Sequence, residues 1–293
     1  MPLHIVMPFY GDEALFRESV QSVLAQSSSE WTLTVIDDAH PNRRPGEWLV
    51  GLAHPRIRYV RNESNGGVSS SFRQAVELAE EALLAIMGCD DRLRPQYVER
   101  ALSRMASSGA TYYQPGVQVI DDRGQASSPL GDRVKQWMRP RPGIVGGEAT
   151  MRSLLRGNWT YFPSIVWRTD AVREHSFDPR FEVVLDLHLQ LQLLASGGSM
   201  LVDDEVLFEY RRHARSVSSV TAKDGARFAE ERALFAEWDE RCRSLGWSRA
   251  ARAARSHLTS RLNALTLLPG GASDRELRRQ LLHHVLGRTA ARG

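Results

Sequence analysis

The chain has 293 residues, 42% hydrophobic and 25% charged, which suits one large globular domain or a domain with an appendage. Its formal net charge is only +3, and Lys135 and Lys223 are the only lysines. No basic block is interleaved with aromatics in the way base-stacking surfaces require, so composition argues against a nucleic-acid partner.

Two cysteines, Cys89 and Cys242, stand outside any CxxC or His cluster, which points to a reducing compartment and away from structural zinc. The N-terminal MPLHIVMPFY lacks a basic segment followed by a long apolar core. Nowhere do about 18 apolar residues run together. The expectation is a cytoplasmic protein without a transmembrane segment.

In chain order, Leu3 to Met7 forms a short apolar strand broken by Pro8. Asp12 then stands as N-cap to a helix faced by Leu15, Phe16, Val20, Val23 and Leu24,. Trp31 to Ile36 is a second strand ending at Asp37 and Asp38, loop aspartates or carboxylates able to accept hydrogen bonds from a nucleotide base or ribose. A loop rich in Pro and Arg leads to a third strand, Ile57 to Val60. The turn Arg61 to Gly67 follows, and then a helix faced by Phe72, Ala75, Val76 and Ala79. The Asn65-Gly66-Gly67 turn lets backbone amides approach a phosphate at a helix N-terminus, and Arg73 lies one turn in, a surface arginine or a phosphate partner.

Leu83 to Met87 is a buried strand that ends at Gly88 and delivers Asp90 and Asp91 to the sheet edge,. Pro95 then starts a helix with Tyr97, Val98, Ala101, Leu102 and Met105 as its inner face. Two carboxylates at the carboxyl end of a strand either remain solvated in a turn or hold a divalent cation carrying substrate phosphates. Four βα units within about 105 residues predict a parallel, helix-covered sheet.

Pro8-Phe9-Tyr10, the VIDD at Val35 to Asp38, the NGG at Asn65 to Gly67, and Asp90 with Asp91 occur in that order. The ordered set resembles the nucleotide-sugar domain of family 2 glycosyltransferases, inverting enzymes of the GT-A fold. The resemblance runs from about Leu3 to Ser219. It implies an α/β GT-A fold, a Rossmann-like mixed sheet covered by helices, with a C-terminal helical appendage. It also implies that Pro8 and Tyr10 line the donor site, that Asp37 or Asp38 holds base and ribose, and that Asn65, Gly66 and Arg73 support the nucleotide. Asp90 belongs to a metal-binding DxD for Mn2+ or Mg2+, with Asp91 beside it. This chain departs from the DxD pattern at its first position, which is Gly88.

The second half extends the resemblance. After a strand near Thr111 to Ile120, Asp121 to Gly147 shows no clear periodicity and is expected to be an acceptor-side lid loop. Its Arg133, Arg139 and Arg141 are solvated or meet an anionic acceptor. Gly157 to Ser164 enters a strand through Trp167. In the family that stretch lines the acceptor side, although aromatics such as Trp159 and Tyr161 at a strand entrance are core more often than sugar platforms. Leu185 to Leu194 fits strand and helix spacing alike. Gly197-Gly198 as a C-cap, and the likeness of LDLHL to the family's EDxxL, favour helix.

An aspartate at a helix start, by itself, faces the dipole; the resemblance makes Asp186 the catalytic base. Ser199 to Tyr210 is expected as strand, turn and strand. Arg211-Arg212-His213 behind Tyr210 resembles the family's terminal YRxH, which implies His213 as a further metal ligand. From Ala226 the pattern is helical, with Ala250 to Leu268 as one segment and a Ser273/Glu276 capping box before a last helix to Leu286. The helices' Arg-rich faces are solvated, dimerise, or touch anionic lipid.

The expected domains are residues 1–220, for donor and acceptor, and 221–293, helical. The expected activity is transfer of a sugar from a UDP- or dTDP-linked donor to an acceptor hydroxyl or amine, with inversion. Its partners are the nucleotide-sugar donor and a sugar, natural-product or lipid-linked acceptor. The enzyme is expected to be cytoplasmic or peripheral to a membrane, with a possible homodimer through the C-terminal helices. The rival readings are a sugar nucleotidyltransferase, disfavoured by the lack of a Gly-rich, Lys-bearing N-terminal loop, and a non-catalytic nucleotide-sugar-binding module, which Gly88 brings to mind.

Overall fold

The computed structural model describes residues 2–212, 226–268 and 275–286. Its centre is a mixed sheet with strand order β3-β2-β1-β4-β8-β6-β9-β5, and β7 paired on β9. Strands β1 (Leu3–Phe9), β2 (Trp31–Asp37), β3 (Ile57–Arg61) and β4 (Leu83–Ile86) are mutually parallel. The intervening helices are α1 (Glu13–Leu24), α2 (Arg44–Gly51) and α3 (Gly67–Glu77). The chain runs outward from β1 through β2 to β3, then crosses back to place β4 on the other side of β1. The strand order therefore reverses between β1 and β4, and ligands of open α/β sheets bind at the carboxyl ends flanking such a reversal.

Alternation along the strands separates two cores. Leu3, Ile5, Met7, Leu33, Val35, Leu83 and Ala85 pack with α1 and with α4 (Tyr97–Ser108), which β5 (Arg92–Leu93) precedes. Val6, Ile36, Leu84 and Ile86 face the opposite layer, as the period of two requires. That layer holds α3, α6 (Gly147–Arg156), α7 (Thr169–His175) and α8 (Leu185–Ala195). Asp12 caps α1 by accepting from the Ala14 and Leu15 amides.

Several elements differ from expectation. Pro8 does not end β1, because its ring needs only a position without an N–H bond to the ladder; it pairs in register with Ile36,. The Pro/Arg-rich segment after β2 contains α2, with Pro45 in its first turn, where a missing N–H costs nothing,. The segment from Asp121 to Gly147 contains α5 (Leu130–Met138) and β7 (Gly143–Gly146). Residues 199–211 form one strand, β9 (Ser199–Arg211), parallel to β6 (Tyr112–Ile120). It passes an irregularity at Gly116 without turning back, because a glycine there lets the Asp204 and Glu205 carbonyls approach,.

β8 (Val166–Arg168) lies antiparallel between β4 and β6, behind the 3₁₀ turn Phe162–Ser164. The ambiguous leucine-rich segment is the helix α8, closed by Gly197 at φ +90° and by the Gly198 amide on the Leu193 carbonyl,.

The first two C-terminal helices, α9 (Ala226–Ser244) and α10 (Ser248–Ser256), share the main core through Leu234, Phe235, Trp238, Cys242, Ala250 and Ala254. The expected single helix over Ala250 to Leu268 breaks at His257, whose φ of +26° divides α10 from α11 (Leu258–Leu267). α12 (Arg275–Leu286) joins α11 in a separate small cluster of Phe228, Ala264 and Leu281. Ser273 and His213 lie outside the described residues. No helix among the described residues is long and apolar enough to cross a membrane.

The Gly116 irregularity can be tested. A Cβ there would stand 2.5 Å from the Asp204 carbonyl oxygen and 2.8 Å from that of Glu205. Both belong to backbone that cannot swing aside. Gly116→Ala is expected to cost roughly 1–3 kcal/mol in urea unfolding, and an unchanged midpoint would show that the two strands separate freely at this point.

Candidate functional site

At the carboxyl ends of the parallel strands, the register aligns Phe9 with Asp37 and Asp37 with Arg61. Tyr10, just past β1, is exposed, and its ring stands edge-on to His40. Asp37 is fully buried. One of its oxygens accepts the His40 amide at 2.7 Å, and the other takes the Tyr59 hydroxyl and the Arg61 guanidinium, each at 2.5 Å. Asp38 is equally enclosed, accepting from Asn62 Nδ2 and from the Gly66 and Gly67 amides at 2.9–3.1 Å.

The amides that the sequence offered to a phosphate are thus occupied by Asp38. Just inside the same helix, the Ser69 amide is on Glu182 at 3.1 Å. The N-terminus of α3 is already neutralised by two carboxylates of the chain itself, since its first N–H groups and dipole attract any nearby anion. Asn65 closes this turn through its side-chain oxygen on the Gly67 amide, and Arg73 donates to Ser69 Oγ at 2.8 Å. Asp37, Asp38 and Arg73 therefore shape the floor of the site through bonds within the protein.

Beyond β4, Gly88 lets the chain fold back on itself. A Cβ at this position would lie 2.6 Å from Asp91 Oδ2 and 2.9 Å from Asp90 Oδ1, so both carboxylates crowd the cradle left by the missing side chain. Asp91 is buried and accepts the Arg211 amide at 2.8 Å. Burial, and then the neighbouring Asp90 carboxylate, push its pKa well above the usual carboxylate range,. Asp90 is half-buried. Cys89, between Gly88 and Asp90, is a packed thiol whose pKa is pushed up to about 12, mainly by burial.

Two carboxylates that raise each other's energy form a place where a hard cation is favourable, so the donor set fits Mn2+ or Mg2+ with Asp90 as the more accessible oxygen ligand. Asp91 is turned toward the Arg211 backbone. Among the described residues, no group of three His, Cys, Asp or Glu side chains is arranged to hold a metal.

Arg211, 2% exposed, is the fastening of this corner. Its Nε donates to the Asp90 carbonyl at 2.7 Å, its Nη1 donates to the Asp121 and Asp122 carbonyls at 3.2 Å, and its Nη2 pairs with Glu18. Arg212 makes a two-pronged bond to Asp132 of α5, at 2.5 and 2.8 Å, and Asp132 also accepts from the Tyr161 hydroxyl at 2.9 Å. Trp159 and Tyr161 are buried, so both are core, and the Trp159 indole donates to Ser153 Oγ.

On the acceptor side Asp186 opens α8, half-buried, with one oxygen accepting from Asn158 Nδ2 at 3.1 Å. Burial raises its pKa, while the Leu187 amide, the Lys135 charge and Asn158 pull the other way. Lys135, on α5, donates to the Thr160 carbonyl at 3.0 Å and lies over the Tyr161 ring. Burial, then the nearby Arg212 charge, bring its pKa down to about 8, against the pull of Asp186 and Asp132.

Lys135, Asn158, Asp132 and Arg212 were not singled out as site residues from sequence. The chain's near-total preference for arginine made Lys135 conspicuous. Its place beside Asp186, however, depends on a pairing of α5 with the segment after α6 that no local spacing encodes. Of the lid arginines, Arg139 is committed to the backbone carbonyls of Pro115 and Asp203, and Arg133 and Arg141 are exposed.

A mostly parallel sheet whose strand order reverses between β1 and β4, flanked by helices on both faces, has the architecture of the GT-A fold. The model of glycosyl transferase family 2 matches residues 4–175. The chain belongs to that family.

It is 22% identical over 222 residues to the succinoglycan biosynthesis protein ExoO of Rhizobium meliloti, covering 75% of this chain and 63% of that one. Against TuaG of Bacillus subtilis, a putative teichuronic acid biosynthesis glycosyltransferase, it is 23% identical over 216 residues, 73% of this chain and 81% of that one. Over 96 residues, 32% of this chain, it is 38% identical to the uncharacterized protein y4gI of Sinorhizobium fredii, and spans only 11% of that protein. The crystal structure of Staphylococcus aureus TarS 1-349 in complex with UDP-GlcNAc superposes with a TM-score of 0.72 at 14% identity, covering 97% of this chain and 79% of that one. At that identity the likeness establishes the fold.

The Gly88 cradle yields a stability test. Asp91 cannot retreat without losing the Arg211 amide, so Gly88→Ala is expected to cost roughly 1–3 kcal/mol in thermal or urea unfolding. Gly88→Asp, which restores the expected DxD residue, should cost more, because a third carboxylate enters a corner that already holds two. Equal stability of both variants to the wild type would show that the turn relaxes and that the cradle is not required.

Proposed function

We propose that the protein transfers a sugar from a nucleoside-diphosphate donor to an acceptor hydroxyl or amine by direct displacement, with inversion at the anomeric carbon. The observation that carries this reading is Asp186. It is a half-buried carboxylate fixed by Asn158, with the Lys135 charge beside it.

The UDP-GlcNAc in the TarS crystal structure supports a UDP-linked donor. The nucleotide lies across the carboxyl ends of β1, β2 and β4, where Pro8 and exposed Tyr10 border the site. Asp37 and Asp38 act by holding His40 and the Asn65–Gly67 turn in place, and Arg73 by steadying Ser69 at the start of α3. Asp90 is the residue that holds a divalent cation, with His213, outside the described residues, as the proposed further ligand. When bound, that cation supplies positive charge for the departing diphosphate. Names such as succinoglycan and teichuronic acid biosynthesis among the relatives favour a polysaccharide or lipid-linked acceptor, met from the cytoplasmic side.

In this mechanism Asp186 removes the acceptor proton as the nucleophile attacks from the face opposite the leaving group. Its carboxylate must be ionised to do so. Lys135 favours the ionised form, and Asn158 fixes which oxygen faces the acceptor. Replacing Asp186 by Asn keeps its size and removes basicity. Asp186→Asn is expected to lower kcat by about 10²- to 10⁴-fold and to leave nucleotide affinity near wild type. The wild-type product should show the anomeric configuration opposite to the donor by NMR. Normal turnover in the variant removes the base assignment, and a retained configuration removes direct displacement.

The pH profile separates the role of Lys135 from simple packing. Because burial raises the Asp186 pKa, activity should fall on the acid side at a pH above the usual carboxylate range. Lys135, protonated below about 8, pulls that limb downward across the range where it acts. In Lys135→Met the acid limb of kcat is expected to move to higher pH, with the alkaline plateau largely kept. A uniform loss of rate without displacement of the limb would assign Lys135 a structural role only.

A further inference from the structure

Helices α6 and α10 border an open pocket of about 450 Å³ lined by Arg152, Arg156, Arg249, Arg252, Ala253 and Ser256. Four arginines line it, two from each helix. Arg152 and Arg156 are four residues apart on α6, and Arg249 and Arg252 three apart on α10, spacings that put each pair on one helix face. None of the strand ends that carry Asp37, Asp38 or Asp90 contributes to the lining.

The neighbouring acids are already engaged. Glu148, one turn before Arg152, accepts the Arg249 and Ala250 amides and caps α10. Asp239 pairs with Arg243 and with Arg255, the next arginine along α10. Among the described residues none of the four cavity arginines has a carboxylate at ion-pair distance, while Arg180, Arg241 and Arg243 on nearby surface all do. Four like charges around one hollow concentrate a positive potential that only an anion relieves. Guanidinium forks match the paired oxygens of phosphate better than they match any neutral ligand.

We propose that this cavity is a second ligand site, distinct from the donor site, that binds a phosphate group. Phosphate reaches it from one of two sources, a soluble phosphate-bearing molecule or the headgroup of a phospholipid. Exposed apolar side chains lie on the helix that follows α10. The Thr259 hydroxyl at the start of α11 donates to the Arg156 carbonyl, and Leu258 and Leu262 on that helix are 60% and 52% exposed. A Cβ on Gly157 would touch both Met138 and Thr259. The end of α5, with Trp137 86% exposed, therefore meets the same corner. The end of α6 also leads within two residues to Asn158, the partner of Asp186.

The test uses the full chain at low salt. Inorganic diphosphate is titrated calorimetrically, with EDTA present to suppress cation-dependent binding at the donor site, into wild type and into Arg152→Ala/Arg252→Ala, and both proteins are sedimented with vesicles of pure phosphatidylcholine or of phosphatidylcholine with phosphatidylglycerol. A soluble source gives saturable diphosphate binding that weakens about ten-fold or more in the double variant, as expected for losing two charged hydrogen-bonding partners. A headgroup source gives sedimentation with the phosphatidylglycerol vesicles alone, lost in the double variant and reduced at high salt. Thermal unfolding of the double variant, and the milder Arg252→Gln, guard against misfolding, since Arg252 is exposed and substitution should leave the melting point unchanged. Diphosphate binding or vesicle sedimentation that persists undiminished in the double variant, or the absence of both from wild type, overturns the proposal.

Discussion

The Arg211 guanidinium is the interaction on which both halves of the site depend. It is nearly inaccessible, and its side chain meets three backbone carbonyls and a carboxylate, while its own amide holds Asp91. Burying a charge is costly unless its donors are met, and here they are met by groups from separate parts of the chain. Through them the turn after β4, the end of β6, the last turn of β9 and helix α1 are drawn to one point. A long strand parallel to β6 and pinned at its end makes the sheet edge rigid, which is what a donor site made of strand ends requires.

The next residue carries the constraint to the other side. Arg212 grips Asp132, Asp132 takes the Tyr161 hydroxyl, and the Tyr161 ring lies beneath Lys135. Lys135 in turn places its charge near Asp186. The corner that holds Asp90 and the carboxylate assigned to proton removal are therefore linked by two consecutive residues, the last of β9 and the one after it.

Much of the architecture was legible because local pattern and global fold agree. The apolar strands ending in Asp37 and Asp90, the Asp12 cap and the Gly197 terminus each rest on short-range chemistry that a sequence displays,. The ordered motifs then indicated the fold and enzyme class that the family match bears out. What sequence did not display are pairings over long separation. The Gly66 and Gly67 amides looked available for phosphate because nothing in the Asn65–Gly67 turn reveals that Asp38 reaches them across 28 residues. The lid segment looked irregular because α5 carries exposed Leu130 and Trp137 on its outer side, so its apolar periodicity does not mark a buried face. β9 looked like a hairpin because polar Asp203, Asp204 and Glu205 interrupt it, and only the contact with Gly116 shows why the strand continues.

The same long-range bonds bear on why Gly88 stands where the family pattern has an aspartate. A carboxylate pair can be drawn close only if something offsets its repulsion or if one member is neutral. In this chain Asp91 is buried against an amide, with its pKa raised by burial and by Asp90, so the strain of the pair falls on Asp91. Asp90, half-buried, keeps the exposure that a ligand to a cation needs,. A third carboxylate at position 88 would find both neighbours within 3 Å of its own Cβ and would have to displace the residue that ties the turn to Arg211. The glycine is therefore the consequence of this particular packing of Asp91. It preserves the second carboxylate of the motif at the cost of the first, and leaves Asp90 beside the arginine-fastened corner.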